Sequence, residues 1–351
     1  MDGPRADPDR RTALEQARLR GLVAGRWGRD REREALTAGT AAALVEDGPD
    51  GRRGWVLVDE AADRALGPAM VWAERHGLDE LHLLVDEGAG TVARHASHFA
   101  DGPTVWRVDG TAVEPAPPEP PPRPAPAPAP PELVDLLIDA GLEVVVEGGM
   151  VRGEVDGLEV ARIVHGRTTA GVPIDAPQLE VGVGKADREL TAMVHGELPP
   201  AAQLERVVAI VREHRRPGAP RHPLNQLVPD RWLRAVLCRN PALVGLASLR
   251  PAETTRPRPN LSVRDLAAAV GETDDGRRVV VVCAVGIALD LVPLAADTRA
   301  ALDEAAGDGR RSGLVLAVPA RDDHPTVRRL AARMHDPADI VALEGDWRAA
   351  G

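Results

Sequence analysis

The stretch LEVGVGKADRE, residues 179–189, carries Lys185, the only lysine among 43 basic residues, directly after two spaced glycines. A phosphate loop needs glycine, four residues, then Gly-Lys-Ser/Thr. Its backbone N–H groups cradle two phosphates while the hydroxyl holds Mg²⁺. Here Leu179 stands where the first glycine belongs and Ala186 where the hydroxyl belongs. The dinucleotide fingerprint GxGxxG fits Gly182 and Gly184 but meets Asp187 at its third position. Both templates fail at a required residue. The spacing instead predicts a strand with Leu179, Val181 and Val183 on one face. That strand runs into a helix with Asp187 and Glu189 near its positive N-terminus.

A second chemistry uses carboxylates. A helix over 131–141 precedes a β-meander over 142–164, and the chain then offers DGLEVAR (Asp156, Glu159) and LEVGVGK (Glu180, Lys185). This order is similar to the opening of the restriction-endonuclease-like fold, which presents an Asp and then Glu-x-Lys on the next strand. The resemblance implies Mg²⁺ held by Asp156, Glu159 and Glu180, with Lys185 beside an activated water. The motif departs from that family at Ala161 and Gly182, which stand two residues after each glutamate where lysine belongs. Lys185 comes five residues after Glu180, which on a strand points to the opposite face. The competing expectation makes Glu154, Asp156 and Glu159 solvent-facing residues of a hairpin.

Histidines and loop acids provide weaker candidates. His95 and His98 sit three apart on one expected helix, a ligand spacing, with Asp86 or Glu87 before them but no evident third ligand. In ARDDHP (320–325), Asp322, Asp323 and His324 follow an expected parallel strand, where open α/β sheets place their ligands. The bland alternative is a turn that caps the next helix. DEGAG (86–90) puts glycines at a helix start but lacks the full fingerprint, and Cys283 lies within a valine-rich strand as core. No cofactor and no metal ion is specified by these patterns.

The most unusual polar segment is VREHRRPGAPRHPLNQLVPDRWLR, residues 211–234. It carries Arg212, Arg215, Arg216, Arg221, Arg231 and Arg234 against only Glu213 and Asp230, with His214, His222 and Trp232 among them. Guanidinium groups suit planar, bidentate recognition of phosphate or carboxylate. Prolines 217, 220, 223 and 229 forbid one continuous helix and pin the loop. Arg212, Arg215, Arg216, Arg221 and Arg234 are therefore expected to bind a phosphate-bearing ligand or acidic protein, with Arg215, Arg216 and Arg221 central. The competing expectation pairs these arginines with the glutamates of the meander. RPAETTRPRPN (250–260) is a second basic stretch, expected as a surface loop.

The elements that position these groups follow from composition and period. The 351 residues allow two domains, and one Phe with no Tyr leaves the cores to Val, Leu, Ala and Ile. EPAPPEPPPRPAPAPAPP (114–131), with 11 prolines, forms neither helix nor ladder and reads as a linker. Before it, in 1–113, helical material over 11–45 precedes near-continuous apolar strands alternating with helices. This pattern predicts a small Rossmann-like domain with a parallel sheet. Residues 132–351 read as a mixed α/β domain with the meander. LHLLVDEGAGTVARHASHFADGPTVWRVDG and LVLAVPARDDHPTVRRLAARMHDPADIVALEG echo each other as β-α-β units.

The net charge of −11 opposes coating of nucleic acid but leaves a local basic contact open. No apolar run is long enough to span a membrane, and two distant cysteines suit a reducing cytosol. Arginine used in place of lysine, with abundant Ala, Gly and Pro, reads as a bacterial genome rich in G and C. The expectation is a cytoplasmic bacterial binding or assembly protein. A metal-dependent nuclease-like enzyme is the alternative.

Overall fold

The computed structural model describes residues 8–29, 32–123, 125–256, 260–261, 263 and 265–350. The chain divides into two compact units. The first comprises Met1–Pro121, Leu289–Asp297 and His324–Ala338, and the second Pro122–Ala288, Thr298–Asp323 and Asp339–Gly351. The change of unit at Pro121 falls inside the proline run. Two short segments from the C-terminal third also join the first unit, a non-local association that composition does not register.

The first unit is built on a six-stranded sheet in the order β1-β2-β3-β4-β5-β6. Helix α1 (Pro8–Trp27) precedes β1 (Glu34–Ala38), β2 (Ala41–Gly48) and β3 (Gly51–Val58), which pair antiparallel. Helix α2 (Ala62–Arg75), β4 (Glu80–Val85), α3 (Ala89–Ala96) and β5 (Thr104–Asp109) continue as parallel crossovers. β6 (Ala112–Pro115) then returns antiparallel. The sheet is therefore mixed. The helical expectation for 11–45 holds only through Trp27. Residues 34–48 are rich in alanine, yet Gly39 at φ 67 closes a tight hairpin with Ala38 opposite Ala41, and pairing with β3 overrides helix propensity.

Leu19, Leu22 and Val23 of α1 pack on Leu44, Trp55, Leu57, Leu84 and Trp106, one face of this sheet. Val56, Val58, Leu83 and Val85, on the alternate face, are buried as well, which is why these strands read as continuous apolar runs. Trp27, Trp55 and Trp106 surround His82, whose Nδ1 accepts from Trp106 Nε1 at 3.2 Å, so this core is more aromatic than composition suggests.

The second unit holds two sheets. Helix α4 (Pro131–Asp139) leads into β7 (Glu143–Glu147), β8 (Met150–Val155), β9 (Leu158–Val164) and β10 (Gln178–Val181), an antiparallel meander in the order β10-β9-β8-β7. Its turns are those expected: Gly148 and Gly149 at φ 59 and 69, then Asp156 and Gly157 at φ 48 and 73. Helices α5 (Gly184–His195), α6 (Pro200–His214) and α7 (Pro229–Arg239) follow.

The second sheet has the order β11-β12-β13-β14-β15. β11 (Ser248–Ala252), β12 (Ala267–Glu272) and β13 (Arg278–Cys283) pair antiparallel, whereas β14 (Gly313–Pro319) and β15 (Asp339–Leu343) run parallel to β13. The crossovers are α8 (Leu291–Ala306) and α9 (Pro325–Ala332). Part of the stretch expected as a surface loop is thus strand β11, while residues 257–259 of it lie outside the described residues. The sense of β1-β2-β3-α2-β4-α3-β5, preceded by α1, matches that of β11-β12-β13-α8-β14-α9-β15, preceded by α7. The echo in the sequence extends to a whole repeated topology.

The proline segment is anchored at several points. Within the first unit, Glu119 N–H donates to Gly90 O at 3.1 Å, and Arg94 donates to the carbonyls of Glu119 and Pro120. Within the second, Ala127 and Ala129 pack against the core of the meander.

Arg94 also carries the strongest polar cluster of the first unit. Its guanidinium donates to Asp297 of α8 at 2.7 Å, and the ring nitrogens of His95 and His98 lie 3.3 and 3.4 Å from the same carboxylate. Burial acts to raise the Asp297 pKa, but hydrogen bonds from His95, His98 and Arg94 outweigh it and hold the carboxyl well below its usual range. An acid depressed on folding contributes stability above its unfolded pKa, ~3.9, that is lost as pH falls from there toward its folded value. Asp297→Asn is expected to cost about 3–5 kcal/mol at neutral pH, because Arg94 is left buried without its carboxylate. It should also flatten the loss of stability below about pH 4. Urea unfolding at pH 7 and pH 3.5 checks both, and parallel acid dependence in the two proteins would contradict the assignment.

Candidate anion-binding site

The meander carboxylates do not form a metal centre. Glu159 is fully buried and accepts from Arg152 at 2.5 Å, Arg162 at 2.6 Å and Arg188 at 3.1 Å. Glu154, equally buried, accepts from Arg231 at 2.5 Å and Arg234 at 2.6 Å. Asp156 is a hairpin-turn residue paired with Arg239 at 2.8 Å. Glu180 accepts from the backbone N–H and hydroxyl of Thr169. Lys185 is exposed on α5 and lies 3.8 Å from Glu189. Glu159 and Glu180 share only Arg188, and Asp156 and Lys185 lie apart from them. Guanidinium charge fills the places a cation would need. Among the described residues no group of three His, Cys, Asp or Glu side chains could hold a metal ion. Glu154 and Glu159 are therefore interior residues and not the solvent-facing hairpin residues expected.

The arginine segment divides into two classes. Arg231 and Arg234, three apart on one face of α7, clamp Glu154, and Arg231 also reaches Glu147. Trp232, Leu233, Val236 and Leu237 on the other face pack into the core beneath β11–β15. Arg215 is buried as well. It donates to the carbonyls of Asp156, Leu224 and Leu227 at 2.8–3.0 Å, and its guanidinium lies 4.5 Å from the Trp232 ring centre. Burial draws its pKa down to about 10. Asp156 and Glu154 oppose that shift, and Arg348 adds to it. Arg215 is thus a pin that shapes the loop between α6 and α7. Arg212 donates to Gly141 O at 2.9 Å and Arg216 to Glu213 O at 3.1 Å, and both are exposed.

Arg221 behaves differently. It lines a cavity of about 410 Å³ with Arg321 and Arg348, two residues that the reading of the sequence does not single out. The cavity lies at the carboxyl ends of β13 and β14, the end where parallel strands present ligands, and beside the start of α7 at Val228 and Pro229. Two hydrogen bonds from backbone N–H groups and one set of cation–π contacts build it. Asp230 accepts from Val285 N–H at 2.7 Å, which ties the start of α7 to the end of β13. Asp322 accepts from Gly286 N–H at 2.8 Å and joins the loops after β13 and β14. Arg348 stacks on Trp347 at 4.3 Å and on Trp232 at 5.1 Å. Arg348 has its pKa lowered, first by burial and then by Arg321, with Asp346 opposing. Arg321 thus adds a small repulsive contribution at Arg348.

No protein-family model matches the chain, and no curated protein matches it. Arg321 has 68% of its side chain exposed and its nearest acid, Asp322, is 3.8 Å away. Arg221 has no ion-pair partner among the described residues. The loop acids singled out beside them face other tasks. Asp322 holds Gly286, and His324 Nδ1 accepts from Thr326 N–H and caps α9. In the first unit Asp86 is held by Arg18, and the Gly90 backbone abuts Glu119, so neither is open to a ligand.

Arg215→Ala removes a guanidinium that satisfies three buried carbonyls and is expected to destabilise by on the order of 3 kcal/mol. Glu154→Gln should cost about 3–5 kcal/mol by leaving the buried Arg234 without a carboxylate and Arg231 with Glu147 alone. Arg216→Ala should stay within about 0.5 kcal/mol of the parent. Denaturant unfolding of the three variants tests this order. A silent Arg215→Ala would mean that the loop is held by something else.

Proposed function

We propose that this is a non-catalytic binding or assembly protein of the bacterial cytosol. In this reading it has two α/β domains, the first Rossmann-like, and its second unit takes an anionic group between Arg221, Arg321 and Arg348. The single observation that carries this reading is the convergence of three arginines from three chain segments on one cavity. The buried arginines of the same unit, by contrast, each have a carboxylate or a set of carbonyls. Two further features support it: the rigid setting of Arg348 on Trp232 and Trp347, and the positive N-terminal end of α7. Guanidinium groups pre-set by stacking lose little entropy when they close on phosphate or carboxylate. Arg212, Arg215, Arg216 and Arg234, expected as ligands with Arg221, here become the frame and flank of the site, and Arg321 and Arg348 take their place.

The test uses inorganic phosphate and, separately, succinate, added at constant ionic strength to the full chain. A ligand at ten times its Kd stabilises the folded state by about 1.4 kcal/mol. The melting temperature should rise with at least one of the two anions, and the rise should vanish in the double variant Arg221→Ala/Arg321→Ala. Both side chains are exposed, so the variant itself should melt near the parent. Equal stabilisation of parent and variant would place the anion elsewhere and overturn the reading.

A further inference from the structure

The first unit shows what a carboxylate does at the corresponding place. The tetrapeptide LVDE occurs twice, at Leu57–Glu60 and Leu84–Glu87, each at the carboxyl end of a parallel strand. Arginines seven residues apart on α1 meet both. Arg11 donates to Asp59 at 3.0 Å and Glu60 at 2.9 Å, and Arg18 forks onto both oxygens of Asp86 at 2.6 Å. The acids Asp59, Glu60 and Asp86 are thus bound by guanidinium within the chain itself, while Leu57, Val58, Leu84 and Val85 are buried in the sheet.

In the repeated topology arginines join the acids at the strand ends. The end of β13 continues as Ala284, Val285 and Gly286 without an acid, the end of β14 continues into Arg321, Asp322 and Asp323, and Asp346 and Arg348 follow β15. Among the described residues no acid of this unit pairs with Arg221, and Asp322 and Asp346 stand 3.8 Å from Arg321 and Arg348. The lining also includes the aliphatic Val228, Leu261, Val263 and Val285, beside the polar Asn225 and Gln226. A volume of about 410 Å³ exceeds what one carboxylate or phosphate fills and falls in the range of pockets that hold small organic ligands. The nearby aromatic ring, Trp232, lies against Arg215, Arg348 and Trp347, which leaves little of it for a nucleobase.

We infer that the arginine cavity recognises an acidic peptide segment in which aliphatic residues precede paired carboxylates, the carboxylates being the groups that the LVDE strand ends present to Arg11 and Arg18. This rests on the anion reading above and specifies its ligand. The aliphatic residues lie against Val228, Leu261, Val263 and Val285, and the two carboxylates are shared among Arg221, Arg321 and Arg348. Contacts of this kind weaken as salt rises.

Calorimetric titration of the full chain with N-acetyl-Leu-Val-Asp-Glu-amide tests it, with N-acetyl-Leu-Val-Asn-Gln-amide as the uncharged counterpart. The acidic peptide is expected to bind at least about tenfold more tightly than the amide form, a difference of about 1.4 kcal/mol. Arg321→Glu should erase that preference, and Arg221→Glu should do the same if either exposed variant alone perturbs folding. Suppose phosphate or succinate binds in the cavity but the acidic peptide binds no better than its amide counterpart. The peptide inference then falls and the anion reading stands. If neither small anion nor peptide binds, both fall together.

Discussion

Buried guanidinium groups set the frame of the second unit. Glu154 on β8 holds Arg231 and Arg234 of α7, and this clamp fixes the helix against the meander while Trp232 and Leu233 fix its other face in the core of the second sheet. Burying a charge is costly unless its partners are in place, and removing one partner costs more than the pair contributes. The clamp therefore specifies one position for α7. Everything at the cavity follows from that position. Val228 and Pro229 start the helix, Asp230 catches the end of β13, and Trp232 provides the ring on which Arg215 and Arg348 lie.

The repeated topology explains why two loop sets of like geometry behave oppositely. A strand end in a parallel sheet exposes backbone and side chains at the edge where ligands bind. In the first unit Asp59, Glu60 and Asp86 occupy those ends and α1 delivers Arg11 and Arg18 onto them. The surface is neutralised from within. In the second unit the corresponding helix, α7, turns Arg231 and Arg234 inward to Glu154 and sends Asp230 to the backbone at the end of β13. The same order of strands and helices thus carries a closed ion cluster in one unit and an arginine-lined cavity in the other.

Much of the fold was legible where backbone chemistry is local. The Gly148-Gly149 and Asp156-Gly157 turns, the helix starts at Pro131 and Pro325, and the valine-rich strands β13 and β14 follow from turn geometry and unbroken apolar runs. Strands β1, β2 and β12 were obscured because Ala42, Ala43, Ala267, Ala268 and Ala269 favour helix in isolation and become strand only through ladder partners distant in sequence. The arginine segment stood out, but the fate of each arginine depended on which carboxylate or carbonyl the tertiary fold brought near. Local pattern carries no such information. Arg321 adjoins a stretch noticed for its acids, and Arg348 has no local signal at all.

Arginine density is weak evidence in a chain that uses lysine once, since a codon bias fills solvent-facing and interior positions alike. What separates Arg221, Arg321 and Arg348 is the state of their partners. Arg152, Arg162 and Arg188 converge on Glu159, and Arg215 on backbone carbonyls, so their donors are taken up by the fold. The cavity arginines have looser partners, with the nearest acids of Arg321 and Arg348 at 3.8 Å. The same planarity that lets Arg215 sit over Trp232 in the interior lets Arg348 sit against that ring at the cavity. A lysine ammonium could not fork onto a carboxylate while lying flat on indole. The bias toward arginine therefore does not by itself make a binding site, but it provides a planar side chain that two positions, Arg215 and Arg348, both set against Trp232.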